Sequence, residues 1–167
     1  MSAGQGDTQM SIDGTFVTFG IGHALFALPV APVVAILEMR DTAPLPRSPA
    51  FLLGLIDRRG ASVPIVDFRR LLGQPDQEDT LDTRLIVLSF EGTEAVSTVG
   101  LRVDRVTEVT ELDHADKAPL READLVKWNE RMVAGIGRRH GRFVTVIDVE
   151  GLFAGDLGQL DLAPAVV

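Results

Sequence analysis

The chain has 167 residues, 46% of them hydrophobic, with 24 acidic against 16 basic residues and a formal net charge of -8. That length and apolar content suit one domain or two small interlocked ones, with no disulfide or metal needed to hold a core. Cysteine is absent, which excludes a disulfide, a thiolate metal site and a thiol nucleophile, while the acidic balance and the scattering of the basic residues disfavour a nucleic-acid surface.

Residues 1–13 are small and polar and are expected to be disordered; they lack the basic and apolar regions of a signal peptide. No apolar run approaches ~20 residues, so no membrane insertion is expected and a cytoplasmic protein is the default. Phe16 to Phe19 predicts a strand, Gly20-Ile21-Gly22-His23 a hairpin turn, and Leu25 to Leu28 a second strand. Apolar residues recur at Val33, Val34, Ile36 and Leu37. Ser48 to Gly54 predicts one helical turn, with Ser48 as N-cap, Pro49 in the first helical position and Gly54 as the stop. Ala61 to Val66 predicts a strand that Asp67 ends by capping a short helix, Phe68 to Leu72, before Gly73. An acidic loop follows over 74–82, then a buried strand at Leu85 to Leu88, and strand plus turn from Leu101 to Leu112. The segment 114–132 is polar and reads as loop or short helix, with Trp128 available to pack it down. Strand, hairpin and strand fill 133–149, and 155–167 reads as a loosely attached tail.

An internal repeat organises these elements. Residues 54–72 (GLIDRRGASVPIVDFRRLL) align without a gap with 135–153 (GIGRRHGRFVTVIDVEGLF), an offset of 81. Upstream, Leu28, Val30, Val33, Ile36 and Glu38 meet Leu101, Val103, Val106, Val109 and Glu111 at an offset of 73. The pattern predicts a mostly-β chain of two similar small barrels, one per half. Each half is of a size at which a lone core is marginal, so the two are expected to share one.

Several residue types invite chemistry without assembling it. Asp67 and Asp148 fall at the same place in the repeat, after a strand and before a helical turn, which N-capping explains better than an acid–base pair. His23, His114 and His140 share no ligand spacing. Ser62, Ser89 and Ser97 lack a G-x-S-x-G context. Arg69-Arg70 and Arg138-Arg139 read as solvated rims. No catalytic, metal or cofactor site is therefore expected.

The stretch Phe51-Leu52-Leu53-Gly54-Leu55-Ile56-Asp57-Arg58-Arg59-Gly60, running into Val63-Pro64-Ile65-Val66-Asp67-Phe68-Arg69, resembles the G-x-x-N-x-R-G-x-x-x-P-V-x-D-L-R segment of the CheW family of chemotaxis adaptors. Val99 to Val106 resembles its V-G-L-x-V-D-x-V strand, and 133–136 with 146–149 its closing strands. With Phe16 to Glu38 the resemblance spans 14–154. Asp57 departs from the family's usual Asn, and Arg58 stands where an apolar residue is common; the departure concerns partner specificity.

The resemblance implies two five-stranded SH3-like barrels and no catalysis. It implies two partners: the regulatory domain of a CheA-type histidine kinase and the cytoplasmic tip of methyl-accepting chemoreceptors. It also implies partner-binding roles for Ile36, Glu38, Gly54, Arg59, Gly100, Val106 and Val109. Plain alternatives stand beside these. Arg59 and Glu38 could be a structural pair, Ile36 and the valines barrel core, and the glycines turn residues. Two further readings remain: a detached kinase regulatory domain of the same fold, and a small-barrel enzyme.

Overall fold

The computed structural model describes residues 14–91, 96–113 and 132–154. The expectations for 1–13, for 114–131 with His114 and Trp128, and for 155–167 lie outside the described residues. In chain order the elements are β1 (Thr15–Ile21), β2 (Ala24–Pro29), β3 (Val33–Glu38), β4 (Leu52–Arg58), β5 (Ala61–Asp67), α1 (Phe68–Leu71), β6 (Arg84–Glu91), β7 (Val96–Val103), β8 (Arg105–Glu111), β9 (Val133–Arg139), β10 (Arg142–Ile147) and α2 (Val149–Ala154).

The ten strands make two five-stranded sheets, ordered β8-β1-β2-β10-β9 and β3-β6-β7-β5-β4. Replacing each strand by the one five places on turns one order into the other, so β1–β5 and β6–β10 are the structural repeats. The parallel registers agree with both sequence offsets. Val146 stands across from Ala27, and Ile65, 81 residues before Val146, stands across from Gly100, 73 residues after Ala27.

One expectation needs correcting: a barrel is not one half of the chain. Each sheet takes two strands from one repeat and three from the other. The links β2–β3 and β7–β8, three residues and one residue long, carry the chain straight from one sheet into the other. Each sheet then closes on itself. Ala43 bridges Leu55 beside β4, and Asp113 bridges Arg138 beside β9.

The cores follow from this exchange. Ile56, Val63, Ile65, Leu85 and Val87 fill one barrel. Phe16, Ala27, Leu112, Val144 and Val146 fill the other. A larger shared core between them gathers Val17, Phe19 and Leu28 with Val66, Phe68, Ile86, Leu88 and Leu101. Six of the seven β1 residues are buried, as expected of a strand covered on both faces. Each such apolar side chain contributes on the order of 1.5–3 kcal/mol, so the shared core ties the repeats into one unit.

Local grammar held in the hairpins. Arg58 pairs with Ala61 and Arg139 with Arg142, with positive φ at Arg59, Gly60, His140 and Gly141, which makes both loops two-residue type I′ turns. Asp67 accepts from the Arg69 amide at 3.1 Å, and Asp148 from the Gly151 amide at 3.1 Å, so both aspartates cap. Two local readings fail. The first turn is Gly22-His23 alone, because Gly20 still pairs with Leu25 inside the strands. The helical turn over 48–54 does not form. Leu52, Gly54 and Ile56 alternate inward along β4, and the Ser48 hydroxyl donates to the Leu45 carbonyl instead of capping. Strand pairing on β5 outweighs one cap and one proline.

Candidate partner-binding site

β3 has a two-residue period. Val33 packs on the shared core, and Ala35 and Leu37 on the barrel core. Val34, Ile36 and Glu38 therefore face solvent, with Ile36 39% exposed. β8 repeats this. Val106 packs on the shared core, while Thr107, Val109 and Glu111 point outward, with Val109 55% exposed. Ile36 and Val109 occupy equivalent repeat positions, as do Glu38 and Glu111. Both strands are outermost in their sheets. Each presents an apolar side chain with a carboxylate two residues on, which suits contact with another protein rather than chemistry. Val106 is half-buried, so it supports this surface from below.

Arg59 is exposed at the first loop position of the β4–β5 turn, with φ +56°. Asp57 holds that turn: its Oδ1 accepts from the Gly60 amide at 2.9 Å. An Asn oxygen serves equally there, so the departure from the family pattern leaves the turn intact. The expected Arg59–Glu38 pair is not formed; among the described residues neither side chain has a hydrogen-bond or ion-pair partner. An exposed pair gains too little to fix two long side chains. The other barrel differs. Arg139, equivalent to Arg58, donates to Glu108 at 2.9 and 3.2 Å and lies 3.5 Å from Asp113. That hydrogen bonding holds the Glu108 carboxyl below its ordinary value.

Gly54 and Gly100 are buried in strands and sit in no turn. Gly54 has φ +147°, and a Cβ there would come within 2.4 Å of the Ala43 carbonyl oxygen. It lets the closing segment cross β4. A Cβ on Gly100 would meet the Ile65 methyl at 2.6 Å. Both are required by the packing around them.

Sequence reasoning missed a charged clamp between the barrels. Arg69 is no solvated rim: it is 7% exposed. Its guanidinium donates to Asp104 through Nε at 2.9 Å and Nη2 at 2.7 Å, and to the Pro75 carbonyl at 3.0 Å. Asp104 occupies the one-residue β7–β8 link and accepts from the Gly22 amide at 2.7 Å. Burial alone would raise the Asp104 carboxyl, but the hydrogen bonds from Arg69 and Gly22 and the charges of Arg69 and Arg102 hold it below its ordinary value. Beside it, Arg102 donates to Asp79 at 2.6 Å and to the Gln77 carbonyl at 2.8 Å, and Arg105 to the Gly22 carbonyl at 2.8 Å. Burial raises the Asp67 carboxyl, only partly offset by Arg102. The clamp thus fixes the β1–β2 turn of one barrel against α1 and the acidic loop of the other. The signal for it lay in mismatches of the repeat, where Asp104 stands for Ala31 and Arg69 for Glu150.

Among the described residues, no group of three His, Asp or Glu side chains is placed to hold a metal ion. No helix among them is long and apolar enough to cross a membrane.

Residues 15–156 match the family model described as the CheW-like domain. The chain is 30% identical to the chemotaxis protein CheW of Rhizobium meliloti over 141 residues, covering 84% of this chain and 87% of that one. It is 28% identical to the chemotaxis protein CheW of Helicobacter pylori, covering 84% and 82%. In fold it is similar to the scaffolding protein TtCheW from Thermoanaerobacter tengcongensis, with a TM-score of 0.73 at 22% identity over 92% of this chain and 98% of that one.

Proposed function

The chain belongs to the CheW-like domain family, and from that premise we propose that it is a chemotaxis adaptor without chemistry of its own. In this reading it couples the cytoplasmic tip of a chemoreceptor to the regulatory domain of a CheA-type histidine kinase, in the cytoplasm, through residues 14–154. The observation that carries the proposal beyond the family match is the pair of equivalent edge strands. Each offers an exposed apolar residue beside a carboxylate, Ile36 with Glu38 and Val109 with Glu111. Two such patches, one on each barrel, would serve bridging, and Arg59, exposed at the β4–β5 hairpin tip, has no hydrogen-bond or ion-pair partner among the described residues.

The test is a titration of the chain against a receptor-tip fragment and, separately, the kinase regulatory domain. Ile36→Asp and Val109→Asp are each expected to weaken at least one partner tenfold or more while the melting temperature stays unchanged. Unchanged affinity for both partners in both variants would refute the assignment of these faces.

A further inference from the structure

The repeat gives the junction between the barrels two equivalent corners, and among the described residues only one is filled. The filled corner is the Arg69–Asp104 clamp. Its mate follows from the offsets: Ala31 stands for Asp104, Pro32 for Arg105, Pro29 for Arg102, and Glu150 for Arg69. Val149 stands for Phe68 and Asp148 for Asp67. Register places Ser89 and Phe90 where the first corner has Gly20 and Ile21. These residues line an open recess of about 610 Å³.

The void has a physical cause. Phe68 packs edge-on against Phe19 and Phe26, with ring centroids 5.3 Å apart in both cases; Val149 is too small to do the same. Three arginines of the filled corner become two prolines and a glutamate. The filled corner also holds the 75–79 loop over itself through Arg69 and Arg102. Among the described residues, the open corner has no cation in its lining. Its charge is one-signed: Asp148, whose Oδ1 takes the Gly151 amide, and Glu150, exposed and without an ion pair among the described residues. Pro29, Pro32, Phe90 and Val149 form the apolar wall.

We propose that this corner receives an arginine side chain on an apolar segment of a partner protein, supplying from outside what Arg69 supplies from within. A guanidinium fits better than an ammonium, because its planar fork pairs with carboxylates while its faces lie on rings. Of the chain's own segments outside the described residues, 155–167 carries Asp156 and Asp161 and no lysine or arginine, whereas 114–131 carries Lys117, Arg121, Lys127 and Arg131, so an internal occupant is one outcome of the test. The corner is a surface additional to the β3 and β8 faces and does not depend on which partner binds those.

The experiment is an amide-resolved NMR titration of the full chain with the peptide acetyl-Leu-Pro-Arg-Leu-Pro-amide and its citrulline twin, which keeps the shape and removes the charge. Shifts are expected at Ser89, Phe90, Glu150 and Gly151 with the arginine peptide, and at least tenfold weaker binding with citrulline. Ala31→Asp combined with Glu150→Arg builds the mate of the Asp104–Arg69 pair in the open corner and is expected to abolish binding. Should that variant not fold, Glu150→Gln alone is expected to weaken binding at least fivefold. No shifts at millimolar peptide, equal binding of the two peptides, shifts confined to other surfaces, or full binding by Glu150→Gln would overturn the proposal. So would corner shifts driven by protein concentration alone, which assign the recess to a second copy, or Overhauser contacts from 114–131 or 155–167 to Phe90, which assign it to the chain itself.

Discussion

Asp104→Asn isolates the clamp with almost no change of shape. The amide can still accept from the Gly22 N–H, but it leaves the Arg69 guanidinium without its counter-charge where the two side chains are only 9% and 8% exposed. Breaking one side of a buried pair costs roughly 3–5 kcal/mol. The lower end applies here, because the Pro75 carbonyl and the Gln77 side chain go on accepting from Arg69. At about 2–4 °C per kcal/mol for a chain near this size, the melting temperature should fall by roughly 6–12 °C at neutral pH. The assay is thermal melting by circular dichroism, with Asp76→Asn as control, since that carboxylate pairs with Arg70 on the surface and its loss should go undetected. The loss should also carry a pH signature. The folded Asp104 carboxyl lies below its ordinary value of 3.8, so its contribution is present above that pH and disappears as pH falls through the lower folded value. The gap between parent and Asp104→Asn should therefore close in strong acid. A variant melting within 2 °C of the parent at neutral pH, or a gap unchanged in acid, would show that the clamp does not hold the barrels together.

Gly54→Ala should destabilise by more than about 1 kcal/mol in urea unfolding, because φ +147° and the Ala43 carbonyl both oppose a side chain; an unchanged midpoint would contradict the packing described. Arg59→His should leave the melting temperature unchanged, since His140 occupies the equivalent turn position at φ +54°, while weakening receptor-tip binding. A lowered melting temperature with unchanged affinity would make Arg59 structural instead.

The sequence made the repeat legible because its signals are local. The Arg59-Gly60 and His140-Gly141 turns, the capping aspartates and the alternating apolar residues each act within a few positions. The exchange of strands between repeats was not legible, since both pairings satisfy the same periodicity and only the short links at 30–32 and Asp104 decide between them. The 48–54 segment misled because Ser48-Pro49 is sound helix-start grammar, yet Leu52 and Ile56 are worth more buried in a strand. The Arg69-Arg70 pair has the local pattern of a solvated rim, and the partner that buries Arg69 lies 35 residues away, where no local pattern reaches. Among the site candidates, Ile36, Glu38, Val109 and Arg59 sit at the surface, while Gly54, Gly100 and much of Val106 lie beneath it.

Bridging is tested most directly by capture. A receptor-tip fragment is immobilised and the kinase regulatory domain passed over it with and without the full chain. Capture of the kinase domain is expected only when the chain is present, saturating at one kinase domain per chain, and it is expected to be lost with Ile36→Asp or Val109→Asp. Equal capture without the chain, or a chain that binds neither component, would contradict the adaptor reading.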